Sequence, residues 1–154
     1  MLETERRAIE SLIRSQFAAL AWGGGREADW PGFASGFLAG ATLYPAARPV
    51  RPWTVDGFVR RMQDLAADGA LSSFSERPLG MEVLCFGNVA VALAGCEMRE
   101  NSAATTHDVN AVLLVKSDED WRIAAQAWDA VRPESPPLQN WRLGSLRTEN
   151  EERP

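Results

Sequence analysis

Residues 109–131, VNAVLLVKSDEDWRIAAQAWDAV, constrain this chain more than any other stretch. An apolar run rich in β-branched residues, residues 109–115, is broken by Lys116-Ser117-Asp118-Glu119-Asp120, and a second run, residues 121–128, follows at once. Runs of this length around a short charged break read as an antiparallel hairpin. If residues 89–100 pair with residues 106–115, alternation sorts their side chains onto two faces. Val91, Leu93, Gly95, Glu97 and Arg99 share one face with His107, Val109, Ala111, Leu113 and Val115. Ala90, Ala92, Ala94, Cys96 and Met98 share the other with Asp108, Asn110, Val112 and Leu114. Both faces are largely apolar, so both need cover. The expectation is helices on the concave face and a second copy on the convex one, with the order of faces left open.

The preceding segments have the character of that cover. Residues 2–22 carry Leu2, Ile9, Leu12, Ile13, Phe17 and Leu20 at helical spacing, with Glu5, Arg6, Glu10 and Arg14 on the other side. Gly23-Gly24-Gly25 stops that helix. The triplet follows a helix and lacks a GK[ST] ending, which argues against a phosphate loop. Asp29 is placed to cap a second helix that starts at Trp30-Pro31, draws on Phe33, Phe37 and Leu38, and ends at Gly40. A short extended piece, residues 41–44, and a proline-rich loop lead to a third helix that begins at Thr54 and stops at Asp68-Gly69. Strands are then expected at 73–77, at 79–86 and, after the Gly87-Asn88 turn, at 89–100.

With 154 residues the chain suits one packed core. Residues 1–131 form that domain, and the proline-rich, charged residues 132–154 form a partly mobile tail in which Trp141 and Leu143 are candidate docking residues. A net charge of -5 argues against a nucleic-acid partner. No segment has the length of an apolar membrane span and the start has no export-signal pattern, so a cytoplasmic protein is expected. Cys85 and Cys96 lie in apolar runs without CxxC spacing, and His107 is the single histidine, so neither a metal site nor a cofactor is expected.

Three helices followed by long antiparallel strands make an α+β arrangement. Residues 29–45, residues 52–65 and the run Asp118-Glu119-Asp120-Trp121-Arg122-Ile123 on to Trp128 resemble, in order and spacing, the nuclear transport factor 2-like superfamily. That superfamily includes ketosteroid isomerases and SnoaL-like polyketide cyclases. The resemblance implies a cone: about three helices packed on a strongly curved antiparallel sheet. Ketosteroid isomerases place a tyrosine, an aspartate and a further acid at positions that match Gln16, Tyr44 and Leu113 here. None of the three is present, and the same absence weakens a cyclase reading.

The candidate site residues follow from this frame. His107, beside Glu97 and Arg99, is a candidate general base, and Glu97 a candidate acid or base if its face is concave. The alternative for Glu97 and Arg99 is a structural ion pair. Tyr44 offers a phenol from the short strand, and Trp30 and Trp53 are placed to border the cone's mouth with Phe33 and Phe58. Asn110 and Gln126 interrupt apolar strands and need partners, either in the pocket or at a dimer interface. The leading functional expectation is a homodimer that binds a small apolar or aromatic molecule. A cofactor-independent enzyme of the isomerase, cyclase or dehydratase kind and a structural dimerisation module are the alternatives.

Overall fold

The computed structural model describes residues 2–134. Three helices, α1 (Leu2–Ala19), α2 (Trp30–Ser35) and α3 (Val55–Ala67), pack on a six-stranded sheet. Its strands are β1 (Phe37–Tyr44), β2 (Trp53–Thr54), β3 (Phe74–Phe86), β4 (Val89–Glu100), β5 (Thr106–Ser117) and β6 (Asp120–Ala130), in the order β2-β1-β6-β5-β4-β3. The sheet curls around the helices without closing, which is the expected α+β cone. One pairing departs from the antiparallel expectation, because β1 runs parallel to β6.

Local chemistry sets the element ends. Asp29 caps α2 by accepting from the Gly32 N–H at 3.0 Å, and Thr54 caps α3 by accepting from the Gly57 N–H at 3.0 Å. The second helix is shorter than its apolar spacing predicts. It ends at Gly36, and Phe37 and Leu38 already belong to β1, where the Gly36 carbonyl accepts from the Ile123 N–H at 2.8 Å. The two segments expected at 73–77 and 79–86 are one strand. Pro78 is tolerated inside it because β3 is an edge strand and the register shifts between Pro78 and Gly80.

The glycine triplet has a packing role. Trp22 and Phe74 exchange backbone hydrogen bonds at 3.0 and 2.9 Å, drawing the end of α1 onto the edge of β3. Gly23 sits there with φ +128°, and a Cβ on it would lie 2.6 Å from the Ser73 Cβ. Only glycine fits that approach.

Pairing of Glu97 with His107 and of Val91 with Leu113 reproduces the expected register of β4 and β5. The structure also settles the faces. Ala90, Ala92, Ala94 and Cys96 of β4 and Asp108, Asn110, Val112 and Leu114 of β5 are buried toward the helices, sharing their core with Ile9, Ile13 and Phe17 of α1. The convex face carries Val91, Leu93, Ala111 and Leu113, all exposed. Trp141 and Leu143 lie outside the described residues.

Candidate functional site

The helices do not fill the cone. A cavity of about 320 Å³ lies between α1, α3 and the concave face, at the small end of the range for ligand sites. Its apolar wall includes Phe33, Phe58, Met62, Phe74 and Trp128. Phe58 bridges this wall, with ring centroids 5.7 Å from Phe33 and 5.7 Å, edge-on, from Trp128. The polar part of the wall comprises Gln16, Glu76, Glu100, Asn110 and Gln126.

Four of these polar groups form one directional chain. Gln16 Nε2 donates to Gln126 Oε1 at 2.6 Å, and Gln126 Nε2 donates to Asn110 Oδ1 at 3.0 Å. Asn110 Nδ2 then faces Asp108 Oδ1 at 3.2 Å, Glu76 Oε1 at 3.4 Å and Cys96 Sγ at 3.7 Å. Strand geometry explains the convergence: Cys96 and Asp108 are direct cross-strand partners, Asn110 lies two residues along on the same face, and Glu76 comes from the neighbouring β3. Gln16, Asp108, Asn110 and Gln126 are each at most 4% exposed. At the far end of the chain the Gln16 Oε1 acceptor is buried and has no partner among the described residues.

The acid end is electrostatically unusual. Burial pushes the Glu76 carboxyl up to about 9, helped by the negative charge of Asp108 and by a hydrogen bond to it. Asp108 is also raised, by burial, with the bond from Glu76 acting in the opposite direction. At neutral pH Glu76 is therefore a neutral acid that donates to Asp108, and the two act as a pair sharing a proton. The Cys96 thiol is raised as well, first by burial and then by the two carboxyls, which keeps it protonated.

Glu76, Cys96 and Asp108 present ligand atoms within 4.8 Å of one another, so among the described residues this trio is a possible metal-ligand set. The Asn110 amide nitrogen contacts all three and points its hydrogens where a cation would need lone pairs. As arranged, the three groups meet through that amide nitrogen, and a cation there would need the amide turned over.

The residues singled out in the sequence are placed differently from one another. Phe33 and Phe58 line the cavity. Asn110 and Gln126, the two polar interruptions, sit in its wall. His107 and Glu97 share the face turned away from the cavity, since in β4 and β5 the concave side belongs to Cys96 and Asp108. Glu97 pairs with Arg77 at 3.1 Å instead of with Arg99. Arg99 shares with them a separate depression and reaches Thr105 Oγ1 at 3.5 Å. Tyr44 lies in a groove on the convex face with Val91, Leu93 and Leu113. Trp30 packs against Trp22 with the rings tilted by 48° and centroids 5.5 Å apart, and Trp53 of β2 pairs with Leu43 of β1. Neither tryptophan lines the cavity.

Glu76 and Asp108 were not recognised from sequence. The available signal was the alternation itself: Asp108 and Asn110 interrupt a face otherwise made of Ala, Cys, Met, Val and Leu. Without knowing which face was concave, that interruption could not be distinguished from a solvated strand end.

No family model matches the sequence, and no curated protein matches it. Solved structures do. The fold is similar to a candidate dehydratase of the NTF2-like family from Streptomyces avermitilis, with TM-score 0.69 at 12% identity over 86% of this chain and 99% of that one. It is similar to an NTF2-like protein of unknown function from Pseudomonas putida, with TM-score 0.68 at 13% identity over 88% and 94%. A candidate scytalone dehydratase from Novosphingobium aromaticivorans superposes with TM-score 0.66 at 12% identity over 84% and 85%. The chain thus has the cone-shaped α+β fold of the NTF2-like proteins.

Proposed function

We propose that this protein binds a small, largely apolar or aromatic molecule inside the cone and does so as a homodimer in the cytoplasm. The supporting observation is the chain from Gln16 to Glu76 and Asp108. A core of this size would be more stable with apolar side chains at these positions, because every buried polar group must recover its lost hydration. Here the groups are retained, one acceptor is left open, and a cavity lies against them. A bound molecule gives that arrangement a use. Free Cys85 and Cys96 suit a reducing compartment.

Thermal shift with a panel of one- to three-ring aromatic compounds tests the reading. A binder present at about a hundred times its Kd stabilises the native state by about 2.7 kcal/mol, enough to raise Tm by several degrees. Phe58→Ala should reduce that shift and His107→Ala should leave it unchanged. A panel that produces no shift argues for the structural dimerisation module instead.

The paired carboxyls favour a second reading, an enzyme of the isomerase, cyclase or dehydratase kind. A neutral acid hydrogen-bonded to an acidic partner inside an apolar cavity can donate and recover a proton at neutral pH. In this reading the proton-transfer groups are Glu76 and Asp108 in place of His107 and Glu97. The dehydratase descriptions of two similar structures are in keeping with it. Turnover that survives Glu76→Gln at the wild-type rate would remove Glu76 from that role.

A further inference from the structure

We infer that the molecule the cone takes carries an amine, bound as its ammonium with the cationic head toward Glu76 and Glu100 and the apolar body against Phe33, Phe58 and Trp128; this rests on the ligand-binding reading above. The charged groups around the cavity are all of one sign. None of the described residues that line it is Lys, Arg or His. The amide nitrogens of Gln16, Gln126 and Asn110 are each committed to the next group along the chain. The ionisable groups in the wall are the carboxyls of Glu76 and Glu100, and Gln16 Oε1 is a buried acceptor without a partner among the described residues.

The direction of the chain is fixed at its acid end. Turning the Asn110 amide over would set its carbonyl against the Asp108 carboxylate, whose partner Glu76 already gives its proton to Asp108, so the nitrogen faces the acids, and Gln126 and Gln16 follow in step. The unpartnered group at the other end is therefore an acceptor, and its complement is an N–H or O–H donor.

Charge separates these two donors. Two carboxyl groups in the wall and Asp108 beside Glu76 make the cavity hostile to an anion, which would need its own cation there. A neutral hydroxyl satisfies one acceptor and leaves the negative charge that Glu76 and Asp108 share uncompensated. An ammonium supplies up to three donors, offsets that shared charge and so favours the ionised form of Glu76, which a glutamine there cannot adopt, and gains further from the faces of the aromatic wall. Arg14 draws Cys96 down and His107 draws Asp108 down electrostatically, but neither cation lines the cavity.

The test is a matched set built on one naphthalene frame: naphthylmethylamine, naphthylmethanol and naphthoic acid, measured against the intact chain by calorimetry and thermal shift at neutral pH. The amine is expected to bind about tenfold or more tighter than the alcohol, with the carboxylate weakest. Glu76→Gln should erase most of the amine's advantage and leave the alcohol's affinity within about twofold of the wild-type value. Alcohol or carboxylate binding as tight as that of the amine overturns the inference while leaving the cavity a ligand site. Failure of all three to bind overturns both. Because the ranking of the three compounds is read on the wild-type protein, the outcome does not depend on the variant folding.

Discussion

Glu76 has opposite consequences for stability and for function. In an unfolded chain its carboxyl titrates near the ordinary 4.5, and in the native state it is held up to about 9. Between those values the native state binds more protons than the unfolded one, so stability falls as pH rises through that window. Asp108 is shifted in the same direction and adds to the slope. Glu76→Gln keeps the shape and the donor to Asp108 but cannot ionise. Its Tm should exceed the wild-type value by several degrees near the top of the window and converge with it near pH 4.5. Parallel Tm curves for the two proteins from acid to alkaline pH would show that Glu76 titrates normally. Little of this was legible in the sequence. His107 drew attention because it is the lone histidine, yet a residue's chemistry follows from which face it occupies, and face depends on a curvature that no local spacing encodes. Phe33 and Phe58 were easier to place because apolar helix positions point at the core whatever the sheet does.

At the scale of elements, loops fix the rim of the cavity. Asn101 holds φ 53° in the turn between β4 and β5. Its Oδ1 accepts from the Ser72 N–H at 2.7 Å and the Ser72 hydroxyl at 3.0 Å, and its Nδ2 donates to the Ala70 carbonyl at 3.0 Å. Those bonds tie the β4–β5 turn to residues 70–73, and Ala70 and Leu71 line the cavity. Asn101→Gly keeps the backbone conformation and removes the bonds, so it should cost about 1–3 kcal/mol. Asn101→Ala should cost roughly 1 kcal/mol more, for a left-handed conformation alanine resists. Chemical denaturation measures both, and hydrogen exchange at residues 70–73 should rise in each; equal stability of the two variants would rule out the backbone contribution. Elements governed by local chemistry were legible: the Asp29 and Thr54 caps, the Gly87-Asn88 turn and the full extent of β4. The end of α2 was not, because Phe37 suits a helix stripe and a buried strand equally well, and only pairing with β6 decides between them.

On the whole molecule, the convex face is a large apolar surface whose chemistry the fold leaves unexplained. Val91 and Leu113 are cross-strand neighbours there, 49% and 44% exposed, with Leu93 beside them at 37%. A monomer that kept such a patch in water would forgo about 25 cal/mol for each Å² of apolar area it could bury. The net charge of -5 opposes self-association only weakly at physiological salt, since it is spread over the molecule and the patch itself is uncharged. Two copies meeting convex face to convex face would cover it, and the cavities, on the opposite side of each sheet, would stay independent. Sedimentation equilibrium should then find a dimer at micromolar concentration. Leu113→Lys should weaken it by about a hundredfold or more, because each copy would have to bury an unpaired ammonium at the interface centre. Its effect on Tm, measured where both proteins are monomeric, should be small, since the side chain packs on solvent in the single chain. A wild-type protein that is monomeric at tens of micromolar, or a dimer that tolerates the lysine, would mean that some other surface or partner covers this face.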